Sequence, residues 1–146
     1  MRFTYCAPSR AATAAFVESY AARFALDGFA PWTAVLVAED RVVGWGGLNR
    51  DPTDPSWGVE VTYFVHPSYW GRGLATELVE EALALAFAEL RLPEVHAFAR
   101  PENRPSIRVL EKAGFVRVRF VEALERDELR VDARGWRGAG VASRET

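Results

Sequence analysis

Val59-Glu60-Val61-Thr62-Tyr63-Phe64-Val65-His66-Pro67-Ser68-Tyr69-Trp70-Gly71-Arg72-Gly73-Leu74-Ala75-Thr76 reads as a strand, a short glycine-bearing loop and the opening of a helix. Val59 to Val65 has the β-branched and aromatic composition of a buried strand. Pro67 stops it, and Gly71 and Gly73 free the backbone before an apolar-periodic run begins. A strand feeding a glycine-rich helix N-terminus makes an anion site, because the first helical amides lack intrahelical partners and the helix dipole favours negative charge. Two nucleotide motifs fail here on spacing. No Lys follows the glycines as a P-loop requires, and G-x-G-x-x-G would need glycine where Thr76 stands. The plain alternative is a strand–helix corner that uses glycine only to turn.

Outward from this stretch, the 146 residues are enough for one domain with a sizeable core. Apolar content of 49% against 26% charged is that of an ordinary globular protein. A net charge of -2 gives no argument for nucleic acid or an anionic membrane as partner. The single cysteine, Cys6, permits no internal disulfide, and a reducing cytoplasm is the default location. The longest apolar run, Ala82 to Ala88, is far too short to span a membrane, and the start of the chain has no signal-peptide pattern. No cluster has metal-ligand spacing.

Residues 10–27 carry Ala11, Ala12, Ala15, Phe16, Tyr20 and Phe24 at helical spacing, closed by Gly28. Thr33 to Ala38 and Arg41 to Leu48 read as an antiparallel hairpin with its tight turn at Glu39-Asp40. Asn49 to Ser56 reads as a loop. Gly73 to Leu90 reads as a helix with Leu74, Leu78, Ala82, Leu85 and Ala86 on its buried face. Val95 to Ala99 follows as a strand parallel to Val59–Val65, joined by a right-handed crossover. Asn103 to Ala113 is a second helix, with Asn103 as N-cap, Pro105 in its first turn and Gly114 at its end. Phe115 to Val121 and Glu128 to Ala133 are expected to pair antiparallel. Residues 1–134 are expected to form one domain and 135–146 a loose tail whose start is pinned by Trp136.

Two segments, Tyr69-Trp70-Gly71-Arg72-Gly73-Leu74-Ala75-Thr76-Glu77 and Asn103-Arg104-Pro105-Ser106-Ile107-Arg108-Val109-Leu110-Glu111-Lys112-Ala113-Gly114-Phe115, together resemble the GNAT superfamily of acetyl-CoA-dependent N-acetyltransferases. The closest look is to its ribosomal-protein N-acetyltransferase-like branch, and Gly28 to Trp32 and Val43 to Leu48 add to the match. The resemblance covers about Phe16 to Val121. It implies an α/β fold: a twisted mixed sheet flanked by helices, with splayed parallel strands holding acetyl-CoA. It also implies that the amides of Gly71, Arg72, Gly73, Leu74, Ala75 and Thr76 cradle the CoA pyrophosphate, with Trp70 in the first position of the family's Q/R-x-x-G-x-G/A pattern. Arg72 either adds charge there or is a solvated surface arginine. By the same resemblance, backbone groups of Tyr63, Phe64 and Val65 pair with the pantetheine arm, and Val65 N–H faces the thioester carbonyl. Asn103 resembles a CoA-contacting asparagine, beside its plain role as a helix cap.

The implied reaction needs a group to take a proton from an amine. Glu60, an acid inside an apolar strand on one face with Thr62 and Phe64, is the candidate base; a half-exposed strand glutamate is the alternative. Resemblance suggests that Ser106 hydrogen-bonds the CoA sulfur and helps protonate the thiolate, beside its reading as a capping serine. Where many relatives carry a tyrosine acid this chain has Leu110, which leaves Tyr63 and Tyr69 as weaker alternatives. His66 reads as a loop-edge residue and His96 as structural. The acidic loop Asp51 to Asp54 reads as a solvated turn, with attraction of a cation as the alternative.

Relatives begin with a strand and a helix for which this chain has only Met1 to Arg10. An incompletely assigned start, a short variant and a homodimer covering the gap compete as explanations. The Thr33 strand is expected to be a sheet edge. Two readings of function stand. One is an N-acetyltransferase moving the acetyl group of acetyl-CoA to a small-molecule amine or a peptide or protein N-terminus, by direct attack in a ternary complex without metal. The other is a non-catalytic acyl-CoA-binding module with a degenerate acceptor site.

Overall fold

A computed structural model of the protein describes residues 9–51 and 54–138. Cys6 and the end of the expected tail, 139–146, lie outside the described residues. Six strands form one mixed sheet in the order β1-β2-β3-β4-β6-β5. These are β1 (Trp32–Leu36), β2 (Arg41–Arg50), β3 (Val59–Val65), β4 (Glu94–Ala99), β5 (Val116–Val121) and β6 (Arg126–Asp132). Helices α2 (Leu74–Ala84) and α3 (Arg104–Ala113) cover one face, and α1 (Arg10–Asp27) lies over β2.

The local signals explain the helix ends. Ser9 caps α1 by accepting from Ala12 N–H at 3.1 Å, and Gly28 closes it in the left-handed region at φ +81°. Asn103 Oδ1 accepts from Ser106 N–H at 3.4 Å to open α3, and Gly114 closes it. The hairpin forms as expected, but its turn is longer. β1 ends at Leu36, and a 3₁₀ turn over Val37–Glu39 leads into Asp40 at φ +48°, a conformation a short acidic side chain tolerates. β1 is an edge strand among the described residues.

Three expectations need correction. β2 continues through Asn49 and Arg50, read above as loop, because they pair with Glu60 and Val59. Asn49 is buried there. The innermost residues of α2 and the π-turn after it (Leu85–Glu89) are Val79, Ala82, Leu83, Ala86 and Phe87. Leu74 and Leu78 instead pack on a smaller cluster of Val43, Val65 and Tyr69, so α2 has a wider apolar arc than one stripe. The last strand begins and ends earlier than read, at Arg126 and Asp132, while β5 begins one residue later than read and ends at Val121 as expected. Trp136 packs against Phe87 at 5.7 Å between ring centroids, and Arg137 N–H bonds to Ala113 O, which pins the chain after β6.

β3 and β4 are parallel and meet in register only at Glu60↔His96. Beyond that pair they diverge, and the divergence is the cleft described below. Beneath it, Glu128 on β6 is buried and accepts hydrogen bonds from His96 Nδ1 (2.8 Å), Arg119 Nε (2.7 Å) and Arg130 Nε (3.1 Å). Burial alone would push this carboxyl up; the bonds from Arg119, His96 and Arg130 outweigh it and hold it down at about 2. A carboxyl depressed in the fold stabilises above its ordinary pKa of 4.5, and that stability is lost as pH falls toward 2. Glu128→Gln is therefore expected to lose about 2–3 kcal/mol at neutral pH, less than a fully buried ion pair because both guanidiniums are partly exposed. Thermal melts should show a fall of about 5–15 °C at pH 7 that narrows below pH 4.5. An equal fall at every pH would remove the charge from the explanation.

Candidate active site

The divergence of β3 from β4 opens two cavities, of about 570 Å³ and 690 Å³, which share Tyr63, Phe64, Asn103 and Ser106 in their walls. Side-chain alternation along β3 divides the two sides. Trp45 and Phe64 pair across β2 and β3 on the face that α1 covers, with Phe16 and Tyr20 of α1 at 6.1 and 6.4 Å from the Trp45 ring. Val43, Val61 and Val65 point to α2 and α3.

The smaller cavity is walled by the loop and the start of α2: Gly71, Gly73, Leu74, Ala75 and Thr76. Gly71 and Gly73 have φ of +79° and +77°, and a Cβ on either would meet nothing within 4 Å, so glycine is needed there for backbone conformation. Gly73 is the N-cap of α2 and no side chain caps it. The first helical amides therefore have no side-chain acceptor among the described residues. Arg72 is not part of this wall: its guanidinium sits 5.0 Å over the Tyr69 ring and 4.0 Å from Glu39. That is the surface alternative of its two readings.

Along β3, the backbone alternates too. His66 N–H bonds to Val43 O at 2.7 Å, and the Phe64 carbonyl lies against Gly44, so the even-numbered residues direct their backbone toward β2. Tyr63 and Val65 consequently direct theirs toward the cleft. Phe64 differs from the expectation: its backbone serves the β2 ladder, and it reaches the cavities by its ring. The Trp70 indole N–H donates to Val65 O at 2.7 Å, which ties the loop to the strand end and leaves Val65 N–H as the cleft-side donor.

At the junction, Tyr63 Oη lies 2.6 Å from Ser106 Oγ and 3.2 Å from Ser106 O. Burial pushes the Tyr63 hydroxyl up to about 12, with the Ser106 hydrogen bond opposing, so it stays protonated. Tyr69 is committed elsewhere, donating to Glu39 at 3.0 Å. His66 Nδ1 accepts from Ser68 N–H, the role of a loop-edge cap, and Leu110 is buried in the core.

Glu60 lines the larger cavity. Burial pushes its carboxyl up; a hydrogen bond with Asn49 opposes this, Asp51 adds to it, and Arg126 and His96 oppose it, leaving the carboxyl at about 6. Asn49 Oδ1 is buried without a hydrogen-bond partner among the described residues. Tyr20 stands close by, its hydroxyl pushed up to about 12 by burial, Glu60 and Asp51. Sequence reasoning missed Tyr20, Asp51, Arg100 and Arg126 as cavity residues. A tyrosine within an otherwise apolar helical stripe was the available signal for the first. Among the described residues no group of three His, Cys, Asp or Glu is placed to hold a metal ion, and no helix is long and apolar enough to cross a membrane.

Comparison with known proteins agrees with this architecture. The chain is 33% identical over 91 residues to an uncharacterized N-acetyltransferase, p20, of Bacillus licheniformis, covering 62% of this chain and 51% of that protein. The chain spans about half the length of the curated relatives it matches. The fold superposes on Mycobacterium smegmatis RimJ in complex with CoA-disulfide with a TM-score of 0.75 at 20% identity, over 97% of this chain and 76% of that one. It also superposes on an aminoglycoside acetyltransferase in complex with coenzyme A, with a TM-score of 0.62 at 20% identity, over 77% and 70% of the two chains. A family model described as acetyltransferase (GNAT) domain matches residues 1–116, so by sequence and fold the chain belongs to that family.

Proposed function

We propose that this protein transfers the acetyl group of acetyl-CoA to a primary amine by direct attack in a ternary complex. The observation that carries the reading is the meeting of two cavities at Tyr63 and Ser106. One is walled by the uncapped N-terminus of α2 and the other by the half-buried Glu60 carboxyl, raised to about 6. The residues present fit acetyl-CoA. The uncapped α2 N-terminus with its two left-handed glycines suits a pyrophosphate, and the Tyr63 and Val65 backbone suits an amide-bearing arm laid along a strand edge. Bound there, acetyl-CoA supplies an activated acyl carbon and a thiolate leaving group.

On the other side, Glu60 takes a proton from the attacking amine, directly or through one water. As the carbon–nitrogen bond forms and the carbon–sulfur bond breaks, Val65 N–H is placed to hold the developing negative charge on the thioester oxygen. Tyr63 Oη and Ser106 Oγ share a hydrogen bond in which either can donate; with Tyr63 as the donor, the serine proton is free to be aimed at the departing sulfur. With a thiol pKa of about 8.5 the thiolate needs only modest acid help, so a serine held by a tyrosine suffices where Leu110 offers none.

Acetyl-CoA incubated with a broad amine panel tests the proposal by thiol release and by the mass of the acetylated product. Turnover of any primary amine upholds it. CoA binding by calorimetry with no turnover would favour the non-catalytic module, and no CoA binding would overturn both.

A further inference from the structure

Arg100 and Arg126 stand apart from the other arginines at this end of the sheet. Arg117 pairs with Asp127 at 2.9 Å, and Arg119 and Arg130 share Glu128 at 2.7 and 3.1 Å. Neither Arg100 nor Arg126 has an ion pair or side-chain hydrogen bond among the described residues. The β4–β6 pairing ends at Ala99↔Asp127, and Arg100 and Arg126 are the next residues beyond that pair on the two strands. Like charges brought close together repel. Both line the larger cavity with Glu60 and Asp51, and Arg126 is half-buried. Burial and Arg100 each lower the Arg126 pKa, with Glu60 opposing. Arg126 attracts Glu60 and lowers its pKa, but burial outweighs that attraction and no ion pair forms between the two among the described residues. Two guanidiniums without an ion pair among the described residues, Arg126 half-buried in the cavity wall and Arg100 exposed at it, fit a carboxylate, which a planar guanidinium binds with two parallel hydrogen bonds.

We propose that Arg100 and Arg126 form an anion subsite of the acceptor cavity, so that the acceptor is a small amine that also carries a carboxylate. Its amine sits toward Glu60 and Asp51 and its carboxylate at the arginine pair. This rests on the transfer reading above for the amine end only; the subsite itself is a binding property.

The test compares free L-amino acids with their C-terminal amides, in the presence of acetyl-CoA for thiol release and of CoA for binding, followed by quenching of Trp45, which lines the cavity. The aspartate and glutamate amides report whether a side-chain carboxylate serves in place of the main-chain one. At least one acid is expected to be preferred over its amide by about tenfold or more, the strength of a charge-assisted hydrogen bond. Arg126→Gln should collapse that preference to about unity by raising the KM or Kd of the acid. Arg100→Gln, read the same way, keeps the test open if the first variant melts early. Equal use of acids and amides by the unaltered protein overturns the subsite. So does a variant that weakens both alike or that shifts only the pH profile of kcat. Acid-selective binding without turnover upholds the subsite and overturns the transfer reading. Turnover of amines with no acid preference does the reverse.

Discussion

Glu60→Gln is expected to lower kcat by about 10²–10⁴, the usual worth of a general base, and at the same time to raise the melting temperature at neutral pH. The two effects share one cause. The Glu60 carboxyl is raised from 4.5 to about 6 chiefly by burial, so the fold holds its proton more tightly than the unfolded chain does. A raised acid contributes its full stability below 4.5 and loses it as pH rises through 6. At pH 7.5 the ionised side chain therefore costs the fold about 1–2 kcal/mol, from a shift worth about 1.4 kcal/mol per unit. Glutamine keeps the shape, stays neutral and avoids that cost. Melting curves should show the variant a few degrees more stable at pH 7.5, about 2–8 °C, and equal to the unaltered protein at pH 4. The wild-type kcat should fall below about pH 6 as Glu60 gains its proton, and the variant should lack that limb. Full activity in the variant would remove Glu60 as the base. A stability gain independent of pH would mean that its charge is not what the fold resists.

What was legible in the sequence is what local chemistry dictates. Val59 to Val65 is a strand to the residue because every side chain in it suits a pleated, buried surface, and Pro67 ends it. The glycines at 28 and 114 mark helix ends through their left-handed backbone. The loop from Gly71 to Thr76 and the cap at Asn103 were legible through backbone needs that only certain residues meet. The larger cavity depends on partners far apart in the chain, and so was hidden. Asn49 reads as a loop residue until Glu60 pairs with it across the sheet. Arg100 and Arg126 look like ordinary strand-end arginines until the fold brings both to the wall of the larger cavity. Tyr63 and Ser106 each had a local reading, and only the divergence of β3 from β4 brings their hydroxyls to 2.6 Å. α1 supplies part of the wall of the larger cavity through Thr13, Phe16 and Tyr20.

Gly44→Ala is expected to be strongly damaging although it adds a single methyl. Gly44 sits in β2 opposite Val65, and a Cβ there would overlap the Phe64 carbonyl oxygen and stand 3.1 Å from the Val65 Cα. These are backbone atoms with no rotamer to turn away, so β2 and β3 must separate. They would part where His66 N–H reaches Val43 O and where Val65 turns its own N–H toward the cleft. Overpacking against fixed backbone costs about 3 kcal/mol or more, and the strand edge meant for the pantetheine arm moves with it. Calorimetry should then show acetyl-CoA affinity reduced by about tenfold or more even in protein that remains folded, because a displacement of about 1 Å is enough to spoil a strand-like ladder. Gly71→Ala is the matched control. It carries the left-handed penalty of about 1–2 kcal/mol but meets no atom within 4 Å, so its loss of stability should be smaller. If Gly44→Ala melts no lower than Gly71→Ala and binds CoA within twofold of the unaltered protein, the β2–β3 contact does not set the position of the cleft strand, and the role assigned to Val65 falls with it.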